Sequence, residues 1–155
     1  MPDMSTSHTI ELVTRDGHAL EFPCGEDTPL LDAASEAGIT LASMCRNGSC
    51  GVCRARCTDG TYRLGNHDPS ALPEDAAGRG EVLLCRTFPR GRLRVAVEQD
   101  LASITAGPVP EREAAVVATE PLGGGVMRLQ IQLEPDAGGD ASAGFEAGQY
   151  VELTP

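Results

Sequence analysis

Alternating apolar and polar positions predict a set of short strands in the first two thirds of the chain. Residues 8–14 and 18–22 both alternate, and Asp16 with Gly17 between them is a strong hairpin signal. Further strand-like runs cover residues 54–58, 81–85 and 92–98. We expect these segments to pair in one sheet of about four or five strands.

One main helix is predicted after the first hairpin. Thr28 suits an N-cap and Pro29 the first helical position, while Gly38 is placed to end the helix. Its apolar face consists of Leu30, Leu31, Ala34 and Ala37. Residues 66–80 should form a loop with at most a short helix near Glu74. A helix packed on such a sheet indicates an α+β domain, with the sheet wrapped partly around the helix.

The composition changes after this region. Small residues with Pro and Gly indicate a linker, which we place at residues 105–112, between a first domain at 1–104 and a second at 113–155. Strand-like runs in the second part cover residues 113–119, 126–133 and 149–153. In the middle run Met127, Leu129, Ile131 and Leu133 share one face. Three strands cannot close a barrel or bury two faces, so we expect the chain to stop inside a domain.

Charge and hydropathy exclude some classes of function. The net charge is −11, and the basic residues, 12 in all, are arginines that nowhere form a patch able to neutralise phosphates. We therefore expect no nucleic-acid partner. With no apolar run near the ~20 residues of a membrane span, we also expect no membrane association. The N-terminus lacks a basic-then-apolar signal, so a cytoplasmic location with reduced thiols is predicted.

The cysteines supply the candidate chemistry. Three of the six lie in Cys45-Arg-Asn-Gly-Ser-Cys50-Gly-Val-Cys53, and Cys85 follows at a distance. This C-x4-C-x2-C spacing with a distant fourth cysteine is that of plant-type [2Fe–2S] ferredoxins, whose potentials lie near about −400 mV. We therefore predict that Cys45, Cys50, Cys53 and Cys85 bind a [2Fe–2S] cluster and that the protein transfers single electrons.

The residues around the cysteines fit this role. Gly48 and Gly51 allow the sharp bends that a segment wrapping a cluster needs, and they leave room for backbone N–H groups to face the sulfurs. Arg46 and Arg86 either add positive potential beside the ligands or are ordinary solvated arginines. Five further residues of the loop either form the exposed edge through which electrons pass or only support the loop: Ser43, Met44, Arg46, Asn47 and Ser49.

Other interpretations of the cysteines are weaker. A zinc ribbon needs a second close pair of ligands, and neither Cys85 nor His67 has such a neighbour in sequence. A redox C-x-x-C pair should open a helix, whereas glycines surround this one, and disulfides do not suit the predicted location. Cys24 and Cys57 are expected to pack as small apolar residues, although a role for Cys57 as an alternate ligand stays open.

Further motifs resemble one family. The cysteine motif, Ala71-Leu-Pro-Glu74 and Val82-Leu-Leu-Cys85-Arg-Thr-Phe-Pro89 are similar to the reductase components of bacterial multicomponent oxygenases, such as soluble methane monooxygenase reductase. Phe145-Glu-Ala-Gly-Gln-Tyr-Val-Glu-Leu-Thr154 resembles the opening of that family's flavin domain. The resemblance implies a β-grasp [2Fe–2S] domain followed by an incomplete antiparallel β-barrel of the flavin-binding reductase type.

The resemblance also implies a route and partners. In that family electrons pass from NADH to FAD, then to the [2Fe–2S] cluster, then to an oxygenase (hydroxylase) component. The electron donor here would be a flavin domain or a separate reductase. The family's Arg-x-Tyr-Ser/Thr flavin motif would fall beyond Pro155, so FAD and NADH are expected only in a full-length member. The chain by itself should neither bind FAD tightly nor oxidise NADH. A stand-alone ferredoxin and a zinc-binding module remain as alternatives.

Overall fold

The computed structural model describes residues 6–106, 111–142 and 153. The chain divides into two compact units, Met1–Val109 and Pro110–Pro155. The strands of the first unit are β1 (Ser7–Val13), β2 (Ala19–Gly25), β3 (Ile39–Thr40), β4 (Arg54–Leu64), β5 (Glu81–Leu83), β6 (Thr87–Ala96) and β7 (Thr105–Ala106). Its helices are α1 (Leu30–Glu36) and α2 (Glu74–Gly78), with 3₁₀ turns at Leu84–Arg86 and Leu101–Ser103.

Five strands form a mixed sheet in the order β2-β1-β6-β4-β5. The hairpin of β1 and β2 around Asp16 and Gly17 is confirmed. β1 runs parallel to β6, while β4 is antiparallel to both β6 and β5. The first and last strands of this sheet in chain order, β1 and β6, therefore lie side by side.

The core lies between this sheet and α1. On the central strands Ile10 pairs with Leu93 and Leu12 with Val95, and all four side chains are fully buried. Helix α1 adds the buried residues Leu30, Leu31, Ala33 and Ala34. Burying a leucine in this way stabilises the fold by about 2 kcal/mol. The predicted α+β architecture, a helix packed on a mixed sheet, is confirmed.

Helix α1 begins one residue later than the sequence predicts. Pro29, not Thr28, is the N-cap, and its carbonyl accepts hydrogen bonds from Asp32 N–H and Ala33 N–H, both at 3.1 Å. Ala37 is the C-cap and is exposed, so its predicted place on the apolar face is wrong. Ala33 is buried instead, because it lies three residues after Leu30 and so on the same face of the helix.

Strand β4 continues to Leu64, past its predicted end at Thr58 and past the turn-prone pair Asp59-Gly60 that follows. Irregularities in its pairing with β6, between Cys57 and Asp59 and between Gly60 and Tyr62, take up the extra residues. Gly60 has a φ of 102°. The turn signal in the sequence therefore marks a bulge within a long strand.

The segment after β5 also differs from expectation. Cys85 lies in the 3₁₀ turn Leu84–Arg86, not in a strand, and β6 starts at Thr87, earlier than the predicted residue 92. The small sheet of β3 and β7, in which Ile39 pairs with Ala106 and Thr40 with Thr105, was not predicted. Two-residue strands are too short to show an alternating pattern.

The described part of the second unit is an antiparallel hairpin of β8 (Ala114–Gly123) and β9 (Val126–Leu133). Both strands confirm predicted runs, whereas the run at 149–153 lies outside the described residues except for Leu153. The large exposed apolar side chains of the hairpin are Val116, Val117, Leu122, Val126, Met127 and Leu129. In the described residues, no helix has both the length and the apolar character that a membrane span needs.

Candidate metal centre

The four predicted ligand cysteines lie on two segments that meet beside the start of β4. Cys45, Cys50 and Cys53 belong to the three-cysteine loop, residues 41–53, which joins β3 to β4. Cys85 lies on the 3₁₀ turn between β5 and β6. The backbone N–H of Leu84 donates to the Cys53 carbonyl at 3.0 Å, so this turn is fastened directly to the end of the loop.

Cys53 and Cys85 form one close pair. Their Sγ atoms are 3.3 Å apart, and both residues are buried. Burial raises the pKa of the Cys85 thiol to about 12, with further contributions from the hydrogen bond and the charge of Cys53 and from the charge of Cys45. A hydrogen bond from the backbone of Gly48 acts in the opposite direction. Without a metal, this pair favours the protonated thiol at Cys85.

Cys45 and Cys50 form a second pair nearer the surface. Cys45 is half-buried and Cys50 exposed. The pKa of Cys45 is lowered to about 5, first by a hydrogen bond from the Ser49 side chain, then by the backbone of Asn47 and by the Cys50 thiol. The backbone N–H of Ser49 also donates to Cys45 Sγ, at 3.4 Å. These donors stabilise the thiolate, which is the form that binds metal.

The donor set and its surroundings fit a binuclear cluster. A [2Fe–2S] cluster takes four cysteine thiolates, two on each iron. The structure supplies two thiol pairs, and a backbone amide already faces one of the sulfurs. Within residues 6–106, 111–142 and 153, no three His, Cys, Asp or Glu side chains converge in a group suited to a single metal ion.

A bridging loop, residues 65–72, joins the two ligand-bearing segments. Asp68 N–H donates to the Gly48 carbonyl at 2.9 Å, and Gly65 N–H donates to the Arg86 carbonyl at 2.7 Å. Arg86 Nε returns a bond to the Asn66 carbonyl at 2.8 Å. The bridging loop therefore fixes the separation of the three-cysteine loop from the Cys85 turn.

Gly48 is required at the contact with this bridging loop. Its φ is +84°, and a Cβ there would lie 2.9 Å from Arg86 Cγ and 3.0 Å from His67 Cβ. Gly51, also at positive φ, would place a Cβ 3.1 Å from the Ala71 carbonyl oxygen. Both glycines thus allow the sharp bends expected from the sequence, and Gly48 also allows close packing.

The two arginines next to ligands have structural partners. Arg46 Nη1 lies 3.6 Å from Asp32 Oδ1 and so connects the three-cysteine loop to α1. Arg86 bonds to the bridging loop. The sequence left open whether these side chains add potential at the cysteines or are plain surface groups. In the structure both hold loops in place.

Thr87 is a site residue that the sequence does not single out. It is fully buried, and its hydroxyl donates to the Leu83 carbonyl at 2.7 Å, across the turn that carries Cys85. The sequence around Thr87 does not indicate this role, because the Leu83 carbonyl comes within reach of the hydroxyl only once the turn has folded.

Cys24 and Cys57 lie outside the group of four. Cys24 is buried, its thiol faces the Thr28 carbonyl at 3.2 Å, and burial raises its pKa to about 11. Cys57 is partly buried against the core, its thiol is 3.4 Å from the Asp59 carbonyl, and burial raises its pKa. Both pack as the small apolar residues that the sequence predicts.

The exposed surface of the centre is partly apolar. Met44 is 59% exposed and Val52 is 39% exposed. Among the described residues up to 104, these are the large apolar side chains that are exposed. Asn47 and Ser49 are exposed beside them, whereas Ser43 is half-buried. We call Met44 and Val52 the apolar edge.

Residues 13–90 match the family of 2Fe-2S iron-sulfur cluster binding domains. The chain belongs to this family. The match covers the three-cysteine loop, the bridging loop and the Cys85 turn, so a [2Fe–2S] cluster is the cofactor of this domain.

Relatives confirm the resemblance to oxygenase reductase components. Methane monooxygenase component C of Methylosinus trichosporium is 33% identical over 149 residues, covering 94% of this chain and 42% of the relative. The anthranilate 1,2-dioxygenase electron transfer component of Acinetobacter baylyi is 37% identical over 147 residues, covering 95% of this chain and 42% of the relative. This chain therefore spans less than half the length of these relatives.

A solved structure points the same way. The ferredoxin reductase in carbazole 1,9a-dioxygenase, in its FAD apo form, superposes with a TM-score of 0.53 and 27% identity, over 83% of this chain and 42% of the other.

Proposed function

We propose that this protein carries single electrons through a [2Fe–2S] cluster held by Cys45, Cys50, Cys53 and Cys85. It would act as the iron–sulfur part of an NADH:oxygenase reductase, between a reduced flavin and an oxygenase component. The observation that supports the proposal is the presence of two thiol pairs, Cys45 with Cys50 and Cys53 with Cys85, in a chain of the 2Fe-2S family.

Each thiol pair would hold one iron. When bound, the cluster accepts and donates one electron at a time, which lets a two-electron hydride donor serve a one-electron acceptor. The protein supplies the four thiolates, the amide of Ser49 that faces Cys45, and a bridging loop that keeps the two segments in register. The apolar edge, Met44 with Val52, would be the docking surface for the electron acceptor.

The domain assignment forms part of the proposal. Residues 1–104 would be the cluster domain, 105–112 the linker and 113–155 the start of a flavin-binding β-barrel. The first two linker residues, Thr105 and Ala106, pair back onto β3 of the first unit. The exposed apolar side chains of β8 and β9 support this, since a hairpin of this kind is stable only when other strands cover it. FAD and NADH would belong to a longer protein with this arrangement. A cytoplasmic location is supported by the six free cysteines, because cluster assembly needs reduced thiols.

The direct test is the metal content of the protein purified without oxygen. We expect about two irons and two acid-labile sulfides per chain, a brown colour, and a rhombic EPR signal after reduction with dithionite. Serine substitution of Cys45, Cys50, Cys53 or Cys85 should remove most of the cluster, because one iron then lacks a thiolate.

Cys57→Ser is the matched control, as Cys57 is a partly buried cysteine outside the group of four. It should keep the iron and sulfide content of the unmodified protein. A colourless protein with stoichiometric zinc would contradict the proposal. Equal cluster content in all five variants would show that the four ligands are assigned wrongly.

A further inference from the structure

The three-cysteine loop begins at a stem that distant parts of the chain hold in place. The backbone N–H of Ala42 donates to Gln99 Oε1 at 2.9 Å. Just before it, Ile39 and Thr40 of β3 pair with β7. The start of the loop is therefore fastened to residues that follow β6, far along the chain.

The backbone at Gln99 is itself fixed on the main sheet. Its carbonyl accepts a hydrogen bond from Arg15 N–H at 2.9 Å, and nearby Val97 N–H donates to the Val13 carbonyl at 2.9 Å. These bonds extend the pairing of β1 with β6 beyond the end of the strands. The Gln99 side chain thus extends to the loop from a backbone position that the sheet holds fixed.

An open groove of about 150 Å³ adjoins the loop at this point. Its lining includes Ala42, Val52, Cys53, Leu84, Val97 and Gln99. Ala42 is exposed beside this groove, so few packed side chains fix its backbone. The hydrogen bond of Gln99 therefore carries more of the loop's position than it would in a filled core.

We propose that Gln99 is a positioning residue for the three-cysteine loop. Its side-chain carbonyl holds Ala42 in place at the rim of the groove and so limits how far the loop opens to water beside Cys53. The part of this inference that concerns the cluster rests on the proposed function, whereas the hydrogen bond between Gln99 and Ala42 is independent of it. Solvent exposure is one of the factors that set the potential of an iron–sulfur centre, and water favours the more negatively charged reduced form. Loss of the bond should therefore shift the midpoint potential to a more positive value.

The test compares variants that remove or keep the acceptor atom. Gln99→Met has a similar length without an acceptor, and Gln99→Glu keeps an oxygen at the same place. Gln130→Met, at an exposed position on β9, controls for the substitution itself. Hydrogen exchange at the Ala42 amide should speed up about tenfold in Gln99→Met, the loss expected for one hydrogen bond, and stay unchanged in the other two.

The midpoint potential gives the second measurement. It should rise in Gln99→Met, stay unchanged in Gln130→Met, and not rise in Gln99→Glu, where the bond remains and a negative charge is added. If Gln99→Met does not fold by circular dichroism, Gln99→Asn replaces it, because its shorter side chain cannot span the gap.

An unchanged amide exchange rate or an unchanged potential in the variant without the bond overturns the inference. A chain purified without any cluster contradicts the proposed function instead. Exchange at Ala42 then still decides whether Gln99 positions the loop, so the two failures are distinguishable.

Discussion

Single polar side chains set the geometry of several turns in this protein, and Asp16 is the exposed example. Its carboxylate accepts hydrogen bonds from the Thr14 hydroxyl at 2.5 Å and from Leu101 N–H at 3.1 Å, and it lies 3.2 Å from His18 Nδ1. Asp16 thus joins the β1–β2 turn to the segment after β6. The hydrogen bond from Thr14 is the main cause that lowers its pKa to about 2, with smaller contributions from Leu101 and His18.

We predict that Asp16→Asn lowers the free energy of unfolding at neutral pH. The folded-state pKa of about 2 lies below the ordinary value of 3.8, so the stabilisation is complete above pH 3.8 and is lost as the pH falls through about 2. The stability difference between the two proteins should therefore shrink over this window. Urea unfolding at a series of pH values measures it, with Asp27→Asn as a control at another exposed aspartate. A difference that stays constant down to pH 2 would contradict this role for the carboxylate.

At the scale of residues, the sequence indicates candidate ligands more readily than it indicates the residues that support their loops. The four cysteines follow from a spacing that iron–sulfur chemistry imposes, and Gly48 and Gly51 follow from the bends that it requires. Thr87 and Gln99 could not be found this way, because each acts on a backbone group whose position depends on the folded chain.

At the scale of elements, the bulged strand β4 determines how the sheet meets the site. β4 begins one residue after Cys53, and its long pairing with β6 leads to the Cys85 turn. The register shift next to Gly60 allows β4 to stay paired with β6 both before and after it. A Cβ at Gly60 would lie 2.1 Å from the Arg92 carbonyl oxygen.

Gly60→Ala should therefore be strongly destabilising, and Gly17→Ala is its matched control. Both glycines have positive φ, at +102° and +86°, but a Cβ at Gly17 would meet nothing within 4 Å. The control should lose about 1 kcal/mol for the left-handed backbone alone. Gly60→Ala should lose at least about 2 kcal/mol more, since a backbone oxygen cannot rotate away as a side chain can. Chemical denaturation followed by circular dichroism measures both, and equal losses would rule out the close approach as the cause.

The elements that could be predicted are those with a local signal. The β1–β2 hairpin and β9 show alternation, β8 includes a strand-like run of Ala and Val, and α1 shows an apolar face. The extension of β4 and the pairing of β3 with β7 have no such signal, because partners distant in sequence create them.

At the scale of the whole molecule, the apolar edge is the proposed docking surface for another protein. The chain carries a net charge of −11, yet Met44 and Val52 interrupt that polar surface beside the exposed Cys50. Apolar anchors next to an electron-transfer site suit a transient complex, in which a small contact that excludes water brings the two redox centres close together.

Met44→Asp should reduce the rate of electron transfer to the oxygenase component about tenfold or more, through loss of an apolar anchor. Iron content and the EPR signal should not change. Met127→Asp is the matched control, since Met127 is 58% exposed and Met44 is 59% exposed. Stopped-flow reoxidation of the reduced protein by an oxygenase component gives the rate. Equal rates for the two variants would exclude the apolar edge as the docking surface.

The family could be predicted from motifs, because they combine ligand spacing with neighbouring residues. The position of an apolar patch on this acidic surface could not be predicted from the sequence, because it depends on which residues the fold exposes. Met44 and Val52 stand near other apolar residues in sequence, and only the fold separates them from the buried Leu41 and Cys53.

The parallel pairing of β1 with β6 has a consequence for biosynthesis. A ribosome delivers β1 first, but Ile10 and Leu12 find their partners only once Leu93 and Val95 have emerged. Ile39 and Thr40 can pair later still, once Thr105 and Ala106 have been synthesised. During translation, three nucleophilic thiols are therefore out of the exit tunnel before the scaffold that orders them exists. Iron and sulfide can be loaded onto an ordered centre only after nearly the entire cluster domain has been made.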